Sequence, residues 1–326
     1  MIGATRLPLH PRPLPYEALS SWVDRLAAAY DLQRYEFLRA MFGADPSPDT
    51  ADLDGGRRPD LIATFADRTG FLPERVRAMT LAGYTPELID TIVPSADLFE
   101  AYVGRFGWFM PVARRTAPRP ESSEPWIPWR ADDLLDASPR CCRRCLIEDA
   151  IPYVRLHWRL AWMACCPQHG EMLVPSFFWP SLRHLFHARE ADPADPDLLA
   201  LDRITLGAVT IGKGVLPESG ATVSGGAWLR ALRTLIDELV RPLTAIGRWA
   251  RDEVTAAWRR AGSSLDARQS LMRRPYEQLR PEQRVLLLRV AAAAVQNVAV
   301  RRARPDGAAP LRICVTQWDG GGVCRT

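Results

Sequence analysis

Apolar residues recur at helical spacing from the start of the chain. In Glu17 to Tyr30, Leu19, Trp22, Val23, Leu26 and Ala29 share one face, with Ser20 and Ser21 near its start, which predicts an amphipathic helix. A second helix is expected in Gln33 to Phe42, ended by Gly43, and the Asp/Pro/Gly-rich run from Gly43 to Pro59 reads as a loop. From Asp60 to Thr80, Leu61, Phe65 and Ala66 line one helix face, Thr69 and Gly70 make a turn, and Pro73 opens another helix that carries Val76 and Met79 inward. That is the layout of a helix-turn-helix, with Glu74, Arg75 and Arg77 pointing outward where a recognition helix carries its base-reading and phosphate-contacting groups. The same layout also serves as a plain packing unit in many folds.

Prolines crowd Val112 to Pro139, around Trp126 and Trp129, so this stretch reads as a linker or a strap laid on a surface. The aromatic segment Phe177 to Phe186 is expected to pack against the module before it. A loop is expected around Asp192 to Asp197 and a short strand or hairpin in Ile204 to Ile211. From Ala227 the helical pattern returns: Trp228, Leu232, Leu235, Ile236 and Leu239 form a stripe broken by Pro242, and Ile246, Trp249, Ala250 and Ala257 form another. The last long helix, Glu282 to Val300, is apolar on more than half its surface, as befits the centre of a bundle. The expected fold is mainly α: an N-terminal helical domain over 1–111, a Pro-rich linker over 112–139, a cysteine-rich module over 140–190 and an Arg-rich C-terminal helical bundle over 191–326.

The chain lacks both an apolar leader in Met1 to Arg12 and a run of 18 apolar residues, so a cytoplasmic location is expected. Charge is unevenly spread. From Ala227 to Arg304 there are 16 arginines against 7 acidic residues, while the whole chain carries only +4. Such an excess suits a nucleic-acid or acidic-partner surface. Lys213 is the only lysine, however, so a preference for Arg alone can also raise the count.

Five of the seven cysteines fall between Cys141 and Cys166. Cys142 and Cys145 form a Cys-x-x-Cys pair, Cys166 and His169 a Cys-x-x-His pair, and 20 residues separate them. Each short pair folds into a knuckle that aims two ligand atoms at one ion, so together they predict one tetrahedral Cys3His zinc site. Four protein ligands leave no open position, which makes the zinc structural and not catalytic. Cys141 and Cys165 precede the proposed ligands and offer a longer spacing, although Pro167 and Gly170 suit the shorter knuckle. His184 and His187, and Cys314 and Cys324, lack further ligands nearby and are read as outside any site. No P-loop or Gly-x-Ser-x-Gly is present, and the acidic residues are scattered, so no enzyme is expected.

Two blocks resemble the TniQ family. In the first, Glu17, Ser21, Trp22, Arg25, Leu26 and Ala27 follow a Pro-rich lead. In the second, Cys142, Cys145, Leu146, Glu148, Asp149, Pro152, Tyr153, Arg155, Leu156, Trp158, Arg159, Leu160, Cys166, Pro167, His169, Gly170 and Leu173 look like the family's zinc module. The resemblance covers about residues 7–175 and implies an accessory protein of Tn7-like and mercury-resistance transposons, helical, with a helix-turn-helix and zinc knuckles. It implies a non-catalytic adaptor between a target-site determinant and an AAA+ ATPase (TniB-like) that regulates the transposase. Some members pair as dimers and ride on RNA-guided CRISPR complexes. This chain departs from the pattern from Val174 onward, where a second cysteine-rich knuckle is absent. The competing expectation is a sequence-specific DNA-binding regulator that uses the helix-turn-helix, with Arg75 and Arg77 as DNA contacts.

Overall fold

The computed structural model describes residues 6–43, 50–90, 140–175, 192–216, 220–246, 248–265, 268, 271 and 276–302. The expectations for 112–139, Phe177 to Phe186, His184, His187, Cys314 and Cys324 lie outside them. The protein is mainly helical and divides into two compact units, Met1–Ser95 with Trp129–Ala194, and Ala96–Pro128 with Asp195–Thr326.

The first unit begins with five helices: α1 (Leu19–Ala29), α2 (Arg34–Phe42), α3 (Thr50–Gly55), α4 (Pro59–Thr69) and α5 (Pro73–Arg77). Helix α2 starts at a reciprocal cap in which Gln33 and Glu36 satisfy each other's end groups. Helix α4 stops at Gly70, whose φ of 74° suits a residue without a Cβ. The apolar stripes meet as expected: Leu19, Trp22, Val23, Leu26, Phe37, Leu38, Leu61, Phe65, Val76 and Met79 form one core. Trp22 packs edge-on against Phe71 and also touches Phe65, which in turn meets Phe42. The expected loop from Gly43 to Pro59 is interrupted by α3, because Leu53 and Asp54 have buried partners to reach.

Two small antiparallel ladders follow. Strand β1 (Arg140–Cys141) pairs with β4 (Val174–Pro175), and β2 (Cys165–Cys166) pairs with β3 (Glu171–Met172); α6 (Arg143–Glu148) starts directly after β1. This module is bonded to the N-terminal helices. Ala18 N–H donates to the Val154 carbonyl at 2.9 Å and Leu156 N–H to the Tyr16 carbonyl at 2.7 Å. Val154 N–H reaches the Ser21 hydroxyl at 3.0 Å, and that hydroxyl donates to Glu17. Glu17, fully buried, also accepts from Leu14 N–H and from Arg25 at 2.7 Å. On the other side of α1, buried Asp54 accepts from Ser20 N–H at 2.8 Å, the Ser20 hydroxyl at 2.9 Å and Arg159 at 2.7 Å. Of the polar residues that carry the resemblance, Ser21 and Arg159 thus bond two sequence-distant blocks together, and Glu17 and Arg25 brace Ser21 from behind.

The second unit contains α7 (Pro196–Ile211), the hairpin β5 (Lys213–Val215) and β6 (Thr222–Ser224), α8 (Gly225–Val240), α9 (Arg248–Arg260) and α10 (Pro281–Arg302). Helix α10 packs against α7, α8 and α9, with Leu287, Leu288 and Val290 through Val295 buried. Ile204 to Ile211, expected as a strand or hairpin, is instead the second half of α7. The helix wins because Asp195 caps its start through Asp197 and Leu198 N–H, Pro196 fits its first turn, and Leu198, Leu201, Ile204, Thr205, Ala208 and Val209 are buried at helical spacing. Helix α8 ends before Pro242, and its Leu239 carbonyl accepts from Trp258 and Arg268. The arginine excess survives folding. Arg230, Arg233, Arg268 and Arg284 are buried, but so are Asp237, Glu238, Glu253 and Glu277, with Arg233 and Glu277 forming a two-bond pair. Arg251, Arg259, Arg280 and Arg289 are exposed.

Candidate metal centre

Two knuckles build the centre. Cys142 is the N-cap of α6, and its sulfur accepts the Cys145 N–H at 3.5 Å, so one turn of helix brings Cys145 back beside it. Across the module, β2 ends at Cys166 and the chain reverses to β3; Gly170 N–H bonds the Cys166 carbonyl at 2.8 Å, and the Gly170 φ of 68° permits the turn. That reversal holds His169 over the sulfurs. Its Nδ1 lies 3.3 Å from Cys142 Sγ, 3.3 Å from Cys145 Sγ and 3.7 Å from Cys166 Sγ, and the Cys145 and Cys166 sulfurs are 3.7 Å apart.

These four ligand atoms all lie within 4.8 Å of one another. Bond lengths of about 2.3 Å to sulfur and 2.0–2.1 Å to nitrogen put tetrahedral ligand atoms about 3.6–3.8 Å apart, so the spacing fits an ion at the centre. Cys141 and Cys165 are buried and stand outside the group. The three thiols compete for protons. Hydrogen bonds from Cys142 and Cys145 hold the Cys166 thiol well below the usual range, whereas bonding to Cys142 and Cys166 pushes Cys145 far above it. Cys142 feels a lowering contact with Cys145, but contact with Cys166 and burial push it up to about 11. Three thiols this close keep protons between them; a divalent ion is what allows all three to ionise together.

The ring is also held from behind. His169 Nε2 lies 2.9 Å from Glu148 Oε2, and Arg144 bonds the other oxygen of Glu148. Sequence reasoning named Glu148 only as part of a resemblance; its position three residues after Cys145, on the same helix face, was the available signal.

The two residues expected at a DNA surface lie elsewhere in the unit, both exposed on α5. Arg75 lies over the Phe71 ring at 5.7 Å. Arg77 spends its guanidinium on the fold, donating to the Ala82 carbonyl at 3.1 Å and the Thr85 hydroxyl at 2.7 Å. Helix α5 is only five residues long, so it offers little more than one turn to a groove. Among the described residues no helix is long and apolar enough to cross a membrane.

In comparison with known families, the family model described as TniQ fits residues 8–173. No curated protein and no solved structure matches. The matched span covers half the chain, beginning at the Pro-rich lead that Glu17 and Trp22 anchor and ending at Leu173, just beyond the four clustered ligands. The helices, the bonds that join them to the module and the Cys/His cluster therefore fall inside one family unit, and the chain belongs to the TniQ family, a family associated with DNA transposition.

Proposed function

We propose that the protein is a non-catalytic adaptor in DNA transposition, linking a target-site determinant to an AAA+ ATPase that regulates the transposase. The observation that carries the reading is the family match over a span whose two blocks are bonded into one unit. A rigid body of this kind suits docking, and its clustered site is closed by four protein ligands, which suits a structural zinc and leaves no position for a substrate. In this reading Cys142, Cys145, Cys166 and His169 hold one Zn2+, the protein works in the cytoplasm, and residues 112–139 link the N-terminal domain to the zinc module.

DNA is a second proposed partner. Arg75 on α5 is the better phosphate contact, because Arg77 is already committed to the α5 turn. The exposed arginines of the second unit offer a further surface for a polyanion or an acidic protein, a CRISPR effector or a second copy of the chain included. The reading is tested by co-sedimentation with the ATP-loaded, DNA-bound AAA+ ATPase of the same element. Capture is expected for the wild type and lost in the Cys142→Ser, Cys166→Ser variant, which also loses its metal. No capture, with nanomolar binding to one defined duplex, would replace the adaptor by a sequence-specific regulator.

A further inference from the structure

We infer that Glu148 is the positioning residue that sets the tautomer and angle of the His169 ring for metal binding. The inference rests on the zinc reading of the cluster. Nδ1 of His169 faces three sulfurs at 3.3, 3.3 and 3.7 Å, so this nitrogen must present its lone pair to an ion. The ring proton then belongs on Nε2, and Nε2 points at Glu148 Oε2, 2.9 Å away. An imidazole with a fixed acceptor behind it loses less freedom on coordination and is a stronger base toward the metal.

The carboxylate is itself held. Arg144 bonds Glu148 Oε1 from one turn earlier on α6, at 3.1 Å, and reaches Glu171 on β3 at 3.7 Å. The two oxygens of Glu148 thus divide their partners, Oε1 taking the arginine while Oε2 is left for the histidine. Helix α6 also carries Cys145, and β3 pairs with the strand that carries Cys166. One exposed arginine therefore ties both knuckles to the group that orients the fourth ligand. Glu148 is half exposed, so replacing it leaves no buried hole.

The experiment compares wild type, Glu148→Ala and Glu148→Gln. Zinc content is measured first by elemental analysis, then affinity by competition with a chromophoric chelator, and the His169 ring nitrogens by long-range proton–nitrogen correlation. Alanine is expected to weaken zinc binding roughly 10- to 100-fold and to expose the Nε2 proton to fast solvent exchange. Glutamine, whose amide oxygen still accepts that proton, is expected to recover most of the affinity. Wild type purified without one tightly held zinc would remove the metal reading itself. A wild type that holds zinc, beside an alanine variant of equal affinity, would overturn the role of Glu148 alone.

Discussion

Arg159→Ala tests whether the helices and the metal module form one cooperative body. Asp54 is 3% exposed, and its oxygens receive two bonds from Ser20 and one from Arg159. Only Arg159 comes from beyond the N-terminal helices, and only Arg159 is positively charged. Removing it leaves Asp54 buried with two neutral donors. Asp24, which feels both the Asp54 charge and the opposing Arg159 charge, is then left to Arg34. Deleting one member of a buried pair costs about 3–5 kcal/mol, and the Arg34 guanidinium, which also feels Asp54, puts this case at the lower end. Against typical stabilities of about 5–15 kcal/mol, that is a large fraction. The assay is urea unfolding of the metal-loaded protein, followed by tryptophan fluorescence and by metal release to an indicator. Both transitions are expected to shift together. In an Asp54→Asn background the same arginine change should cost well under half as much, because no charge is stranded. A loss below about 1 kcal/mol, in the range of an exposed pair, would refute the joint, as would metal release at a urea concentration that leaves the helices folded.

Two further outcomes concern the same unit. Burial, and then the Arg155 charge, push His157 down to about 3, so as pH falls from 6.5 towards 3 the unfolded chain gains a proton that the folded one refuses. That effect removes about 1.4 kcal/mol per pH unit. Burial outweighs Arg34 and raises Asp24 to about 6, which works the other way: between 6 and 3.8 the folded state takes its proton first and gains stability. Urea midpoints at pH 7, 6 and 5 should therefore fall less with acid in His157→Phe than in wild type, by about 2 kcal/mol at pH 5, and parallel curves would exclude His157 as the sensor. Gly56 has φ +69°, and an added Cβ would stand 2.3 Å from the Thr80 hydroxyl and 2.7 Å from Ala82 Cβ. Gly56→Ala is expected to cost about 2–4 kcal/mol in thermal unfolding, from backbone strain plus overpacking, whereas Gly212→Ala in the second unit, left-handed at φ 72° with nothing within 4 Å, should cost about 1–2 kcal/mol. Equal losses would show that the clash relaxes freely.

Local signals made much of this readable. Gly43 and Gly70 mark helix ends, and the Cys-x-x-Cys and Cys-x-x-His pairs name the four atoms that converge. Ile204 to Ile211 misled because Ile204, Thr205, Val209, Thr210 and Ile211 are β-branched and favour strands in isolation. The competing start signal, Asp195–Pro196, lay nine residues upstream, and burial on one face settled the matter. The joint was legible as residue types but not as contacts. Nothing in Ser21 or Arg159 alone says that one receives Val154 N–H and the other grips Asp54. Charge counting had a similar limit, since it could not tell Arg233, sunk against Glu277, from exposed Arg289.

The bond between Ser21 and Val154 spans 133 positions, and that distance has a meaning in time. At about 5–20 residues per second, the first helices leave the ribosome roughly 7–27 s before the segment that completes them. Through that interval the Ala18 N–H and the Tyr16 carbonyl, whose partners are Val154 and Leu156, stay hydrated, and Asp54 has Ser20 but not yet Arg159. His169, the last residue of the Cys/His cluster, emerges later still, so the four atoms can converge only when the first unit is nearly complete. A message cut short before Arg140 would yield a fragment whose Asp54 charge lacks Arg159 and whose Ala18 N–H lacks the Val154 carbonyl, a ready target for chaperones and proteases rather than a smaller working protein.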